Sequence, residues 1–233
     1  MMKMFVLIPK KPEISNESFH SHWRTTHASL ALLIPTLKRY SQSHRDSELT
    51  ADLAHPPFAA APYLGVSEAW FPSREAALGM AHSTEYRTGA RQDEDNFMDV
   101  EHKARLFTSE VSASAGQPDP DSNGSLKVLL FTAVDNAIDG KKSTRYFTGE
   151  HAALIAALPH LSGHIQRPVE AQHGNASLPS WSFVDEIWWQ NEEELCDAWR
   201  SKEAAQLHAK ARPLISAGSA AIVVRENSVI REP

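Results

Sequence analysis

The sequence is short of the features that mark secreted, membrane and nucleic-acid-binding proteins. Its 233 residues include one cysteine, Cys196, so neither a disulfide framework nor a cysteine-rich zinc site is expected. No apolar run approaches the roughly 20 residues of a membrane-spanning helix, and no small-residue cleavage site follows the short N-terminal apolar run. Basic residues number 23 against 29 acidic ones, which argues against a basic nucleic-acid-binding face. We therefore predict a cytoplasmic protein.

Motifs of common nucleotide, metal and hydrolase sites are also missing. The chain has no glycine-rich dinucleotide or phosphate loop, no HExxH sequence and no GxSxG sequence. His20 and His22 lie two residues apart in a predicted helix, so they point to opposite sides and are badly placed to share a metal ion. We expect neither a metal nor an organic cofactor.

An internal repeat organises the chain. Residues 27–42 and 151–166 share six identical positions at a constant offset of 124, and residues 68–85 share five with a later stretch at an offset of 118. Residues 112–125 are rich in Ser, Gly, Pro and Asp, a composition typical of an exposed linker. The sequence thus predicts a first repeat over 1–111, this linker, and a second repeat over 126–233.

Each copy has the hydrophobic pattern of a β-α-β-β-α-β unit. In the first copy, strands are predicted over 4–9, 37–44, 65–71 and 103–111, helices over 16–34 and 73–96, and a long loop over 45–64. In the second copy, strands are predicted over 126–134, 161–167, 182–189 and 220–225, and helices over 143–158 and 192–214. This order matches the ferredoxin-like unit, whose sheet leaves one face for a partner sheet. We predict an α+β fold in which two ferredoxin-like repeats pack as a pseudo-dimeric barrel within one chain.

A histidine interrupts the apolar stripe of the first predicted helix in both copies. His27 follows Phe19 and Trp23 at helical spacing, and His151 follows Phe147 in the second copy. One interpretation is a core histidine that bonds a backbone carbonyl. The other is a general acid/base, because an imidazole exchanges protons near neutral pH.

Polar and aromatic side chains alternate on the second and third predicted strands. Tyr40 and Gln42 share a face of the second strand, and His164 and Gln166 share the equivalent face in the second copy. On the third strand Glu68 shares a face with Trp70, as do Glu186 and Trp188 in the second copy. These faces line a cavity if they point inward and are solvated if they point outward. The aromatic residues either stack on a flat ring substrate or fill the core.

Acidic residues surround Phe97 in the run QDEDNFMD. We expect this run to be a helix end and a turn with its carboxylates, among them Asp93, Asp95 and Asp99, in solvent. The alternative is that one carboxylate reaches the mouth of a pocket.

The stretch FHSHWRTTHASLALLIPTLKRYSQSH resembles the EthD family pattern of Phe-x-x-x-Trp-x-x-x-His followed by Pro-x-Leu-x-x-Tyr. The later stretches VSEAWFPSREAALGMAHSTEYR and DEDNFMD are also similar to that family. The second copy departs from the pattern, since Ser143, Phe147 and His164 replace Phe19, Trp23 and Tyr40. The resemblance implies the dimeric α+β-barrel superfamily and places the family histidine on His27, with Trp23 and Tyr40 beside it.

The resemblance implies a cofactor-independent acid/base enzyme, of the dehydratase, cyclase, decarboxylase or isomerase kind, that acts on a small aromatic or polyketide-like compound. The alternatives are a non-catalytic binding or accessory protein and a cofactor-free monooxygenase. The predicted catalytic residues are His27, Tyr40, Glu68 and His151. The predicted substrate contacts are Trp23, Gln42, Trp70, Phe97, Phe147, His164 and Trp188. The expected partner is a small-molecule ligand, and homodimer formation is left open.

Overall fold

The computed structural model describes residues 1–109, 112–115 and 126–230. The strands are β1 (Met2–Ile8), β2 (Arg39–Arg45), β3 (Ala59–Ala60), β4 (Gly65–Phe71), β5 (Ala104–Thr108), β6 (Ser112–Ala115), β7 (Leu126–Thr132), β8 (Gly163–His173), β9 (Phe183–Trp189) and β10 (Ala220–Ile230). The helices are α1 (Asn16–His22), α2 (Ala28–Ala31), α3 (Ser47–Leu53), α4 (Arg74–Gly79), α5 (Arg91–Phe97), α6 (Gly140–Arg145), α7 (Ala152–Ala156), α8 (Glu192–Trp199) and α9 (Lys202–Ala211). Wider π-helical turns lie at Trp23–His27, Tyr86–Ala90 and Tyr146–His151, and 3-10 turns at Met80–His82 and Arg212–Leu214.

Eight of the described strands close into an antiparallel barrel. Their order is β2-β4-β1-β5-β8-β9-β7-β10, and β10 pairs back with β2. The two halves of the chain contribute four strands each and are joined at both edges, through β5–β8 and β10–β2. The predicted α+β barrel is confirmed.

The helices begin where short polar side chains cap them. Ser15 accepts a hydrogen bond from the Ser18 amide at the start of α1, and Ser73 and Asp46 do the same for α4 and α3. Helix packing divides the buried residues into three cores, one between helices and sheet in each half and one inside the barrel. Within the described part of the chain, none of the helices has both the length and the apolar character needed to cross a bilayer.

The observed elements differ from the predicted ones at positions where contacts with distant parts of the chain determine the structure. The predicted loop over 45–64 contains α3 and β3, because Asp46 caps a helix and Ala59 pairs with β10. Strands β8 and β10 run to His173 and Ile230, beyond their predicted ends, because each pairs with a strand of the other half. Ser112–Ala115, the start of the predicted linker, form β6 against β8. Residues 116–125 of that linker lie outside the described residues.

A network of buried ions occupies the barrel interior. The Lys3 Nζ lies 2.6 Å from Glu68 Oε2 and 2.5 Å from Glu186 Oε2. The Lys127 Nζ contacts Glu68 and lies 2.9 Å from Glu226 Oε2. Because each lysine bonds a carboxylate from its own half and one from the other, the network links the two halves through the barrel centre.

Loss of one lysine from this network should destabilise the fold. We expect Lys127→Met to lower the free energy of unfolding by about 3–5 kcal/mol, because Glu68 and Glu226 each lose a buried cationic partner. Urea denaturation monitored by tryptophan fluorescence measures the change. Lys202→Met is the control, since Lys202 is 92% exposed and its loss should cost less than about 0.5 kcal/mol. Equal stability of both variants would show that the ions do not hold the halves together.

Candidate functional site

A cleft lies between the helices of the first half and the outer face of its strands. It is partly enclosed and opens to solvent at its mouth. Its walls are largely apolar: Met4, Val6, Ala31, Ile34, Leu37, Ala69, Met80 and Ala90. Its polar side chains are His27, Tyr40, Ser67, Tyr86, Glu94 and Arg105. A mostly apolar cleft with a few convergent polar groups is the usual form of a small-molecule site.

The His27 ring is held in this cleft by a carboxylate from the neighbouring helix. Its Nδ1 lies 3.0 Å from Asp93 Oδ2, and the residue is 8% exposed. The Nε2 of His27 has no protein partner among the described residues. A carboxylate on Nδ1 fixes the tautomer and leaves Nε2 to exchange a proton with a ligand.

Asp93 joins two histidines. Its Oδ1 lies 2.7 Å from the His22 Nε2, and the Asn96 amide nitrogen donates to the same oxygen at 3.2 Å. Burial raises the pKa of this carboxyl, but hydrogen bonds from His27, Asn96 and His22 outweigh burial and hold the pKa at about 2. Asp93 is therefore ionised at neutral pH.

Both helical segments that line the cleft contain a π-helical turn. His27 ends the turn Trp23–His27, and Tyr86 begins the turn Tyr86–Ala90. Such turns insert one extra residue into a helix and are frequent at functional sites. Here the two turns carry His27 and Tyr86, which both line the cleft.

Tyr40 presents its hydroxyl to the cleft on a rigid support. The Trp23 Nε1 donates to the Tyr40 hydroxyl at 3.2 Å, and the Gln42 side chain donates to the Trp23 carbonyl at 2.6 Å. A side chain at Gly65 would collide with the Trp23 indole, which a Cβ would approach to 2.3 Å. Burial raises the pKa of Tyr40, so the hydroxyl stays protonated and can donate to a ligand oxygen.

A second polar group, built around Tyr86, lines the same cleft. The Tyr86 hydroxyl donates to Glu94 Oε1 at 2.9 Å and accepts from the Arg105 Nη2 at 3.1 Å. The Lys103 Nζ forms an ion pair with Glu94 Oε2. Burial, followed by the charge of Glu94, raises the pKa of Tyr86 to about 12, so this hydroxyl is also neutral.

The equivalent histidines of the second half are buried. His151 and His164 are fully buried, and both bond Asp185, at 3.3 and 2.9 Å from their Nε2 atoms. Gln166 also donates to Asp185 at 3.0 Å. Burial raises the pKa of Asp185, but the charges and hydrogen bonds of the two histidines outweigh burial and lower it well below the usual range.

Comparison with known proteins identifies the first half. The family model described as "EthD domain" matches residues 11–101. Residues 11–101 are an EthD domain. No curated protein matches the chain in sequence.

Solved structures similar to the whole chain share its fold. An anthrone oxidase-like protein matches with a TM-score of 0.68 at 8% identity, over 100% of this chain and 94% of its own. A candidate monooxygenase from Fusobacterium nucleatum matches with a TM-score of 0.59 at 5% identity, over 97% and 92%. A candidate monooxygenase from Lactobacillus acidophilus matches with a TM-score of 0.54 at 11% identity, over 97% and 94%. At these identities the likeness concerns the fold alone.

Two of the eleven predicted site residues, His27 and Tyr40, line the cleft of the EthD domain. Five others are core residues that support either the polar groups around His27 or those around Asp185: Trp23, Gln42, Phe97, Phe147 and His164. Phe97 packs on the His27 ring at 5.0 Å between centroids, and Phe147 packs on His151 at the same distance. All five are 0–1% exposed, so their assignment to substrate contact is corrected to a supporting role.

The predicted site residues on β4 and β9, which were the third predicted strand of each copy, point away from the cleft. Glu68 and Trp70 face the barrel interior, where the Lys3 Nζ lies 4.2 Å from the Trp70 ring. Trp188 lies near Lys127 on the same interior side. The prediction that Glu68 acts in catalysis and that Trp70 and Trp188 bind substrate is corrected, because alternation put them on the other face of the sheet.

The cleft of the EthD domain contains residues that the sequence prediction missed. Asp93 is 6% exposed and bonded to His27, whereas its carboxylate was expected in solvent. No pattern in the sequence indicates a functional role for Tyr86, Glu94 or Arg105. The placement of His20 and His22 on opposite sides of α1 is confirmed, since His20 lies 2.8 Å from His44 and His22 bonds Asp93. The described residues contain no group of three or more metal-ligating side chains.

The depressed pKa of Asp93 predicts an acid-sensitive contribution to stability. This contribution is present above the ordinary carboxyl pKa of 3.8 and is lost as the pH falls towards about 2, because the unfolded chain binds the proton more readily. We expect the unfolding free energy of the wild type to fall more steeply between pH 4 and 2 than that of Asp93→Asn. Urea denaturation at several pH values gives both slopes. Parallel slopes would contradict the ion pairing assigned to Asp93.

Proposed function

We propose that the protein is a cofactor-independent acid/base enzyme that acts on a small aromatic or polyketide-like compound, with His27 as the general acid/base. The observation that carries this proposal is the His27–Asp93 pair in the cleft. One ring nitrogen is held by a buried carboxylate and the other has no protein partner among the described residues. A core histidine bonded to a backbone carbonyl, the alternative interpretation, lacks this arrangement.

The cleft residues divide the chemistry between them. His27 removes a proton from a carbon or oxygen of the substrate and returns it later, while the Asp93 carboxylate stabilises the imidazolium that forms. The neutral Tyr40 hydroxyl donates to a substrate carbonyl and stabilises the enolate oxygen that develops. This sequence of proton transfers supports a dehydration, an aldol-type closure, a decarboxylation or an isomerisation.

A cofactor-free monooxygenase is the second candidate. The same base would deprotonate an electron-rich phenol, which would then react with dioxygen. The likeness of the fold to an anthrone oxidase-like protein favours testing this reaction. Oxygen uptake during turnover separates it from the lyase reaction, and saturable binding with neither reaction would indicate a binding or accessory protein.

We also propose that the two halves are copies of one ferredoxin-like unit, with repeats over 1–111 and 126–233. The strand order β2-β4-β1-β5 in the first half has its counterpart in β8-β9-β7-β10 in the second. Lys3 and Lys127 in the barrel network keep the offset of 124, and Glu68 and Glu186 keep the offset of 118. A cytoplasmic location remains part of the proposal, in keeping with the lone Cys196.

His27→Ala should abolish turnover while the protein stays folded. A general acid/base contributes about 10²–10⁴-fold to a rate, so the loss should fall in this range for whichever phenol or enone the wild type converts. Product formation and oxygen consumption are both recorded. His102→Ala is the control, because His102 is 54% exposed and bonds only Asp99 among the described residues. Undiminished turnover by His27→Ala would refute the assignment.

His151→Ala should reduce stability and leave turnover intact. Its removal leaves Asp185 with fewer buried partners, which should cost about 1–3 kcal/mol. Urea denaturation and the same product assay give the two readouts. A loss of turnover at unchanged stability would instead show that the second half takes part in the reaction.

A further inference from the structure

Arg105 is a cation in the cleft that lacks an acidic partner. It extends from β5, is half-buried, and donates from Nη2 to the Tyr86 hydroxyl at 3.1 Å. Among the described residues it forms no ion pair. The buried cations Lys3, Lys127 and Arg167 each contact at least one carboxylate, so Arg105 differs from them.

The carboxylate nearest to Arg105 along this chain of contacts is already neutralised. Glu94 forms an ion pair with Lys103 and accepts a hydrogen bond from the Tyr86 hydroxyl. Tyr86 then bridges Glu94 and Arg105 without carrying a charge, since its pKa is raised to about 12. The positive charge of Lys103 offsets the negative charge of Glu94. The positive charge of Arg105 is therefore available to a ligand in the cleft.

A cation held in an apolar cleft favours an anionic ligand. A guanidinium presents its remaining N–H groups as a planar fork that matches the two oxygens of a carboxylate. Apolar residues line the same cleft, among them Val6, which pairs with Arg105 across β1 and β5, Ala69 and Met80. They suit a hydrocarbon ring. His27 and Tyr40 line the same cleft, so a ring bound by its acidic group at Arg105 would lie beside the proposed acid/base.

We propose that the cleft binds small aromatic carboxylates, with the carboxylate on Arg105 and the ring against the apolar wall. This inference rests on the proposed function and narrows its substrate class to acids. It makes Arg105 the residue that determines specificity.

Calorimetric titration of 1-naphthoate and its neutral analogue 1-naphthamide tests the proposal. We expect the wild type to bind naphthoate about 10- to 100-fold more tightly than naphthamide, as a charge-assisted hydrogen-bond pair provides. Arg105→Gln should lose this preference and bind naphthamide as before. Arg105→Lys should keep part of it, because the charge stays and the fork is lost. Arg87→Gln, which removes an exposed arginine nearby in the chain, should behave like the wild type.

Three results would overturn the proposal. The wild type could bind the two compounds equally or bind neither, or Arg105→Gln could keep the preference. If His27→Gln lost the preference and Arg105→Gln kept it, the anion-binding group would be His27. If Arg105→Gln did not fold, the Arg105→Lys and wild-type comparisons would still decide.

The outcome separates this inference from the proposed function. Arg105-dependent binding of naphthoate without turnover of any compound would sustain the carboxylate site and refute the enzyme. Turnover of enones by a wild type that binds naphthoate and naphthamide equally would sustain the enzyme and refute the carboxylate site.

Discussion

The ion pairs that link the two halves inside the barrel are the constraint on which the rest of the structure depends. Lys3 of the first half bonds Glu186 of the second, and Lys127 of the second half contacts Glu68 of the first. Buried charges are tolerated only when each has its partners, so these contacts require both halves to be closed on one another. The network and the apolar residues around it lie in the barrel interior. The cleft with His27 lies on the opposite face of the sheet, beneath the helices.

The two helix-covered faces carry different residues at positions related by the two sequence offsets. Tyr40 and Ser67, which line the open cleft, correspond at the two repeat offsets to His164 and Asp185. In the second half these two bond one another in the same space. Ala90 of the cleft wall corresponds to His208, which is larger and buried. The first half thus has a cleft where the second half has buried polar side chains.

The sequence predicted the barrel well because its signals are local and repeated. Period-two strands, capped helices and two constant offsets define the element order, and the need to cover a bare sheet face implies closure. The pattern does not say which face points inward. Glu68 and Trp70 were correctly placed on a common face, yet that face is the barrel interior. The face of β2 that carries Tyr40 is the one that lies beneath the helices.

Asp93 shows why the site was harder to predict than the fold. The residue lies 66 positions from His27, and its run of acidic residues has the composition of a solvated helix end. A π-helical turn at Tyr86–Ala90 directly precedes α5, which carries Asp93 and Glu94. Because such a turn shifts the helical phase, a regular 3.6-residue pattern gives the wrong facing for the residues after it. The histidine was visible in the sequence as an exception on an apolar stripe, but its partner depends on a backbone irregularity that side-chain periodicity does not encode.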